Sequence, residues 1–131
     1  MKAGVQIGES KTMTVEVTKE MIAQFAGEVV HPVYSTASMV YHMEWVSRQL
    51  LIPYLEASEE GMGAAVSVKH LAPSGLGTKV KLTATISAVS DRRMTTVVTA
   101  ENTVGLIGKG EVTQVILPKK VIQEKLLQVN D

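Results

Sequence analysis

The stretch that decides the fold is residues 36–52, which read TASMVYHMEWVSRQLLI. Thr36 or Ser38 can cap a helix here, and Pro53 must end it, because proline has no amide hydrogen for a helix interior. The sequence therefore predicts one long helix. Its apolar residues recur every three or four positions, which gives a continuous apolar stripe: Met39, Met43, Val46 and Leu50.

The chain that follows this helix alternates polar and apolar residues, as half-buried strands do. The clearest case is 78–89, where one face would hold Val80, Leu82, Ala84, Ile86 and Ala88. Short connections between the alternating segments favour antiparallel pairing. The four predicted strands are 64–71, 78–89, 94–102 and 106–117.

The chain ahead of the helix looks less regular. Residues 11–18 alternate as a strand, Thr18 caps a short helix that runs through Phe25, and residues 27–35 are predicted to be irregular. At the other end, Pro118 is predicted to open a short terminal helix.

These elements predict an α+β architecture. Each predicted strand has one apolar face that needs a cover, and only the helix over 36–52 is large enough to provide it. An antiparallel sheet wrapped around one long central helix is the hotdog fold. We expect a single such domain over residues 1–131. Edge strands of so small a sheet pair readily with a second copy, so we also expect a homodimer or a higher homo-oligomer.

Composition excludes several classes of function. Thirteen Lys and Arg balance thirteen Asp and Glu, which argues against a nucleic-acid partner. The chain has no cysteine, so disulfides, thiolate metal sites and a cysteine nucleophile are excluded, and no other metal-ligand spacing is evident. No apolar run approaches the roughly 18 residues that span a bilayer, and no secretory signal is visible. We expect a cytoplasmic protein with no membrane partner.

Three side chains are candidates for chemistry. Glu44 lies beside the apolar stripe, where a carboxylate either is paired or reaches water at the edge of the stripe. His70 shares a strand face with Val66 and Val68, turned toward the helix, so it is a packed core residue or a base that a carboxylate orients. Thr36 is a helix cap, or a hydroxyl beside backbone N–H groups that can hold an oxyanion.

The spacing of these candidates sets a geometric problem. Eight residues of straight helix span about 12 Å, so Thr36 and Glu44 cannot touch if both are helical. Either Thr36 lies in a bent-back segment ahead of the helix, or the site draws groups from two chains. Of the other histidines, His42 is predicted to be solvated on the polar side of the helix, and His31 is assigned to the surface.

Several short blocks of the sequence match a known enzyme family. They are YSTASMV at 34–40, MEW at 43–45, PYLE at 53–56, Gly63, and VKH at 68–70 followed by Ala72 and Gly75. Together they resemble the fluoroacetyl-CoA thioesterase family of hotdog enzymes, from about Val5 to Leu117.

The resemblance implies hydrolysis of an acyl-CoA thioester by a Thr, a Glu and a His, which match Thr36, Glu44 and His70. Gly63 matches a family glycine whose backbone contacts the acyl group, and Gln114 stands where that family offers an arginine near the acyl end. Acyl-CoA is then the substrate, and no metal or redox cofactor is implied.

The resemblance has limits that bear on function. Residues 26–33 are shorter than the family's lid and contain no aromatic residue, so we expect short or medium acyl chains rather than fluoroacetyl selectivity. The same fold also suits a non-catalytic acyl-CoA-binding sensor or, with less support, an enoyl-CoA hydratase. The sequence leaves open whether Thr36 or water is the nucleophile, and whether Glu44 orients His70 or acts directly.

Overall fold

The computed structural model describes residues 1–129 and has nine regular elements in that range. Seven are strands and two are α-helices, and short 3₁₀ turns occupy Lys19–Met21 and Ile52–Tyr54. The elements are β1 (Ser10–Glu16), β2 (Ile22–Phe25), β3 (Glu28–Tyr34), α1 (Thr36–Leu51), β4 (Glu59–His70), β5 (Lys79–Ser90), β6 (Arg93–Glu101), β7 (Leu106–Pro118) and α2 (Lys119–Val129).

Five strands form one antiparallel sheet in the order β1-β5-β6-β7-β4, and β2 pairs with β3 in a separate hairpin. The sheet wraps around α1, so the predicted hotdog arrangement is confirmed. The helix buries the predicted stripe completely or nearly so, and the facing residues of β5 are buried with it. This core explains why the helix needs no exceptional intrinsic propensity, because packing of an apolar face supplies most helical stability in proteins.

One predicted core position is wrong. The alternation places Ala88 on the apolar face of β5, but a register shift between Ile86 and Ala88 changes which residues point inward. Ala88 is exposed and Val89 packs partly against the core instead. A bulge adds one residue to a strand, so every side chain beyond it changes face.

A second register shift, between Gly63 and Ala65, sets the face that β4 presents to α1. His70 pairs with Gly108, and Val68 pairs with Gly110. A Cβ atom on either of these β7 glycines would meet the side chain of a methionine of α1. The prediction that His70 faces the helix is therefore confirmed. Because β4 is the last strand of the sheet, its outer edge has no partner within the described chain.

The segment ahead of α1 differs from the prediction. Thr18 to Phe25 is not a helix: only Lys19–Met21 makes a 3₁₀ turn, and β2 then pairs with β3. Residues 27–35 are not irregular either, since β3 occupies most of them. Ala26 and Gly27 adopt left-handed φ angles of 53° and 81° and form the turn of this hairpin, so Gly27 marks a hairpin rather than a helix end.

The cap of α1 also differs from the prediction. The side chain of Ser35 caps the helix by accepting a hydrogen bond from the backbone N–H of Ser38 at 3.0 Å. Neither Thr36 nor Ser38 is the cap residue. The Thr36 hydroxyl is consequently free for another partner.

The terminal helix α2 begins directly after Pro118, as predicted, and none of its side chains is buried. Across residues 1–129, no helix combines the length and the apolar character needed to cross a membrane.

Candidate active site

Two of the predicted catalytic residues meet at one end of α1. Thr36 is the first residue of α1 and His70 is the last residue of β4. The Thr36 hydroxyl lies 2.8 Å from Nδ1 of His70, within hydrogen-bonding distance. The other ring nitrogen, Nε2, is buried and has no hydrogen-bond partner among the described residues. A histidine whose Nδ1 accepts from a hydroxyl carries its proton on Nε2, and that proton needs an acceptor.

The third predicted catalytic residue, Glu44, lies in a separate place. Its side chain is exposed in the single chain and lines a cavity of about 360 Å³. That volume falls in the range of roughly 300–1,000 Å³ typical of small-molecule sites. The cavity is lined by Tyr41, Glu44, Trp45, Arg48, Gly63, Val112 and Gln114.

Both predicted substrate-binding residues line the same cavity. Gly63 of β4 lies directly opposite Gln114 of β7 in the antiparallel register. A Cβ on Gly63 would come 2.9 Å from Oε2 of Glu44, so the missing side chain makes room for the carboxylate. Gln114 is 4% exposed, and its Nε2 donates to the backbone carbonyl of Ser47 at 3.2 Å.

The structure does not bring Glu44 to His70 within one chain. Thr36 is helical, which excludes the bent-back segment and leaves about 12 Å of helix axis between Thr36 and Glu44. In the described part of the chain, no hydrogen bond or ion pair joins Glu44 to His70. The alternative that remains from the sequence is a site built from two chains.

Arg48 is the cation of the cavity, and it is already engaged. Its guanidinium donates to the Gly61 carbonyl at 3.1 Å and to Oε1 of Glu60 at 2.8 Å. The hydrogen bond from Arg48, with a second from the Gly61 N–H, holds the pKa of the Glu60 carboxyl below its usual range. The Arg48 charge is therefore balanced by an acidic neighbour before any substrate binds.

The prediction that His42 is solvated is wrong. His42 is 4% exposed, and its Nδ1 lies 2.6 Å from the hydroxyl of Tyr34, which is fully buried. Burial lowers the pKa of His42 and raises that of the Tyr34 phenol. His42 is three residues after Met39 and four before Val46, so it lies beside the stripe and not on the polar side to which the sequence analysis assigned it, and Tyr34 of β3 covers it.

Sequence reasoning missed Tyr41, Trp45 and Arg48 as cavity residues. A signal was present, because positions three and four residues from Glu44 share its helix face, and Tyr41 and Arg48 are such positions. In residues 1–129, no group of three or more acidic or histidine side chains is placed to hold a metal ion.

Comparison with known proteins shows the family of the chain and supports its fold. A fluoroacetyl-CoA thioesterase of Streptantibioticus cattleyicolor is 33% identical over 96 residues, which cover 73% of this chain and 69% of the relative. A Thermus thermophilus hypothetical protein, described as a thioesterase superfamily member, superposes with a TM-score of 0.92 at 36% identity over 97% of this chain and 94% of its own. A hot-dog-like protein from Thermanaerovibrio acidaminovorans has a TM-score of 0.89 at 20% identity, over 95% and 93% of the two chains, which supports the fold alone.

The fold and the relatives define a thioester hydrolase of the hotdog class. The model of the fluoroacetyl-CoA-specific thioesterase family matches residues 17–120. The chain belongs to this family, and acyl-CoA thioester hydrolysis is its general activity.

Proposed function

We propose that the protein hydrolyses short or medium acyl-CoA thioesters at a site shared by two copies of the chain. Thr36 and His70 come from one copy, and Glu44, Gly63 and Gln114 come from the other. The observation that carries the proposal is the 2.8 Å contact between Thr36 and His70, with the second His70 nitrogen buried and unpartnered among the described residues.

The free edge of β4 supports the two-chain arrangement. Gly63 and His70 both face α1 but are seven residues apart, which is about 23 Å along a strand. If β4 pairs antiparallel with β4 of a second copy about an axis through Ser67, the extra residue at the register shift between Gly63 and Ala65 brings Gly63 opposite the partner's His70. Met62 and Val66 are 45% and 37% exposed in the single chain, so apolar area is available for burial along this edge.

In this arrangement the three side chains have complementary roles. The Glu44 carboxylate accepts the Nε2 proton of the partner's His70, which fixes the ring tautomer. Nδ1 of His70 then takes a proton from Thr36 or from a water molecule that this hydroxyl positions. The activated oxygen attacks the thioester carbonyl, and the CoA thiolate leaves with the proton that His70 returns. Where the Thr36 oxygen attacks, a water molecule deprotonated by His70 then hydrolyses the Thr36 ester and releases the acid; where water attacks, the acid forms directly. No metal or redox cofactor enters this reaction.

The start of α1 is suited to hold the oxyanion of that attack. Because Ser35 caps only the N–H of Ser38, the N–H groups of Thr36 and Ala37 have no partner among the described residues. Free N–H groups and the helix dipole stabilise negative charge at this end of a helix. The thioester oxygen would lie beside the hydroxyl that His70 activates.

The acyl range follows from the hairpin ahead of α1, whose Val29 and Val30 are exposed. Their modest side chains impose less restriction than a lid of aromatic residues would. Phe25, directly before the hairpin turn, is 75% exposed in the single chain. We propose acceptance of short or medium chains without fluoroacetyl selectivity. The cytoplasmic location stays a prediction from the sequence.

A mixed-dimer experiment tests the shared site. Chains carrying Glu44→Gln and chains carrying His70→Ala are co-expressed with different affinity tags, and heterodimers are compared with each parent. If the site is shared, each heterodimer has one intact site of two. Random mixing of equal amounts makes about half of all dimers heterodimers, so about one quarter of the wild-type number of sites is restored. If all three residues act within one chain, no combination is intact and activity stays at the level of the parents, which would refute the shared site.

Thiol release separates this function from the sensor alternative. A panel of acyl-CoA esters with a thiol-trapping reagent should show turnover that depends on enzyme concentration. Binding of acyl-CoA without thiol release would favour a non-catalytic module instead.

A further inference from the structure

The cavity beside Glu44 contains a buried polar group whose hydrogen bonding is incomplete. Gln114 is 96% buried, and its Nε2 donates to the Ser47 carbonyl at 3.2 Å. A carbonyl only accepts, so this bond fixes which end of the amide points toward α1. The amide oxygen, Oε1, has no donor within residues 1–129, and Gln114 lines the cavity. Oε1 is not fully buried, because His70 Nε2 is the one buried side-chain polar atom without a partner among the described residues, so Oε1 is open to the cavity, where a ligand donor can replace water.

The amide of Gln114 is held in place by a second layer of buried hydroxyls. The Ser47 hydroxyl lies 2.7 Å from the Met43 carbonyl and 2.7 Å from the Thr96 hydroxyl, and both Ser47 and Thr96 are fully buried. These bonds join α1 to β6 at the point where the Ser47 carbonyl orients Gln114. The acceptor is therefore fixed before a ligand arrives, which is the condition for selective recognition.

The other residues that line the cavity limit which functional groups that ligand can carry. Val112 and the rings of Tyr41 and Trp45 provide apolar walls. Glu44 is a second acceptor on the same cavity, and the cation Arg48 is already bound to Glu60. A carboxylate on the acyl chain would meet two acceptors, whereas a hydroxyl can donate to one of them.

We propose that this cavity takes the acyl end of a hydroxyacyl thioester, with the substrate hydroxyl donating to Oε1 of Gln114. The inference rests on the proposed thioesterase function and adds its substrate class: a short acyl chain with a hydroxyl a few atoms from the thioester carbonyl. Sites built to bind a hydroxyl discriminate against analogues that lack it, because their buried polar groups are left unpaired.

Two matched pairs of esters test the inference: 3-hydroxybutyryl-CoA against butyryl-CoA, and lactoyl-CoA against propionyl-CoA. The wild-type protein should show a kcat/KM about tenfold or more higher for the hydroxylated member of at least one pair. In Gln114→Met, which has similar length but no acceptor, this ratio should fall toward one. Gln123→Met, on the exposed face of α2, is the matched control and should keep the wild-type ratio.

Each failure has a distinct meaning. Equal kcat/KM for both members of both pairs in the wild-type protein would overturn the inference while leaving thioester hydrolysis in place. A hydroxyl preference that survives Gln114→Met would overturn the role of Gln114. Absence of thiol release from all four esters would contradict the proposed function itself. Melting temperatures show whether Gln114→Met folds. If it does not fold, Gln114→Leu takes its place as the variant without an acceptor, and the wild-type ratio of kcat/KM values still tests the substrate class.

Discussion

The most direct test of the site geometry is Gly63→Ala, because the structure gives the distance from the added methyl group to the Glu44 carboxylate. A methyl group at residue 63 would lie 2.9 Å from Oε2 of Glu44 and 3.7 Å from its Cδ. Ordinary contacts of this kind are about 3.5 Å or more, so the carboxylate must move by roughly half an ångström. The Glu44 side chain is exposed and can move at little cost in stability. A misplacement of about 1 Å can cost about 10²-fold in rate, so we expect kcat to fall by about tenfold or more.

The stability of Gly63→Ala should not fall with its turnover. Gly63 has no left-handed φ, and alanine at a compatible position stabilises by about 0.4–1 kcal/mol through the unfolded chain. The melting temperature of Gly63→Ala should therefore be unchanged or slightly raised while turnover falls.

Two other glycines are controls for Gly63→Ala. Gly75 has no atom within 4 Å of its Cβ position, so Gly75→Ala should leave both turnover and melting temperature close to those of the wild type. At Gly110 the new methyl would collide with the backbone carbonyl of Ser67, so Gly110→Ala should destabilise the fold by about 1–3 kcal/mol. Wild-type kcat in Gly63→Ala, or loss of activity only in step with stability, would refute the placement of Glu44 in the site.

Three further predictions concern single side chains. Glu44→Gln and His70→Ala should each cut turnover by about 10²–10⁴ at nearly unchanged melting temperature, with the double variant little worse than the poorer single one; additive losses would argue against a pair. Ser35→Ala should cost about 0.5–2 kcal/mol of stability, measured by urea unfolding, as loss of a helix cap does; an unchanged midpoint would contradict the cap assignment. Burial lowers the pKa of His42, so its contribution to stability is present above the ordinary histidine pKa of about 6.5 and is lost as pH falls through the lowered folded-state value. Unfolding free energies at pH 8 and pH 5 should differ more in the wild type than in His42→Gln, and parallel losses would show that other groups cause the difference.

The sequence could predict the parts of this fold that depend on repeated patterns. The stripe of α1 and the alternation of β5 each involve many residues, so the stripe and the β5 core up to Ile86 are confirmed. The hairpin of β2 and β3 has no such pattern. Its strands are short, Pro32 lies inside one of them, and the turn at Ala26 and Gly27 resembles a helix end. Whether such a short segment forms a helix or a strand depends on which other segment it pairs with.

The candidate site, like the fold, could be predicted from the sequence only in part. From the sequence alone, the alternation of the strand predicted that His70 faces the helix, and the position of Thr36 predicted that it lies at the start of the helix. Their direct contact could not be predicted, because it depends on where β4 ends relative to α1. The cavity residues Tyr41 and Trp45 were missed because large aromatic side chains on a helix are more often part of a core.

The cap of α1 explains why the Thr36 hydroxyl is available for chemistry. A helix start has several unpaired N–H groups, and a hydroxyl next to them normally satisfies one of them. Here Ser35 takes that position, and the side chain one residue later is free to bond His70 at 2.8 Å. If Thr36 were the cap, its oxygen would be committed to the N–H of a following residue and the oxyanion position would lose a donor. In the proposed mechanism, Ser35 therefore stabilises the helix and the Thr36 hydroxyl remains available for the chemical step. It follows that Ser35→Ala should affect unfolding more than turnover, and that Thr36→Ala should do the reverse.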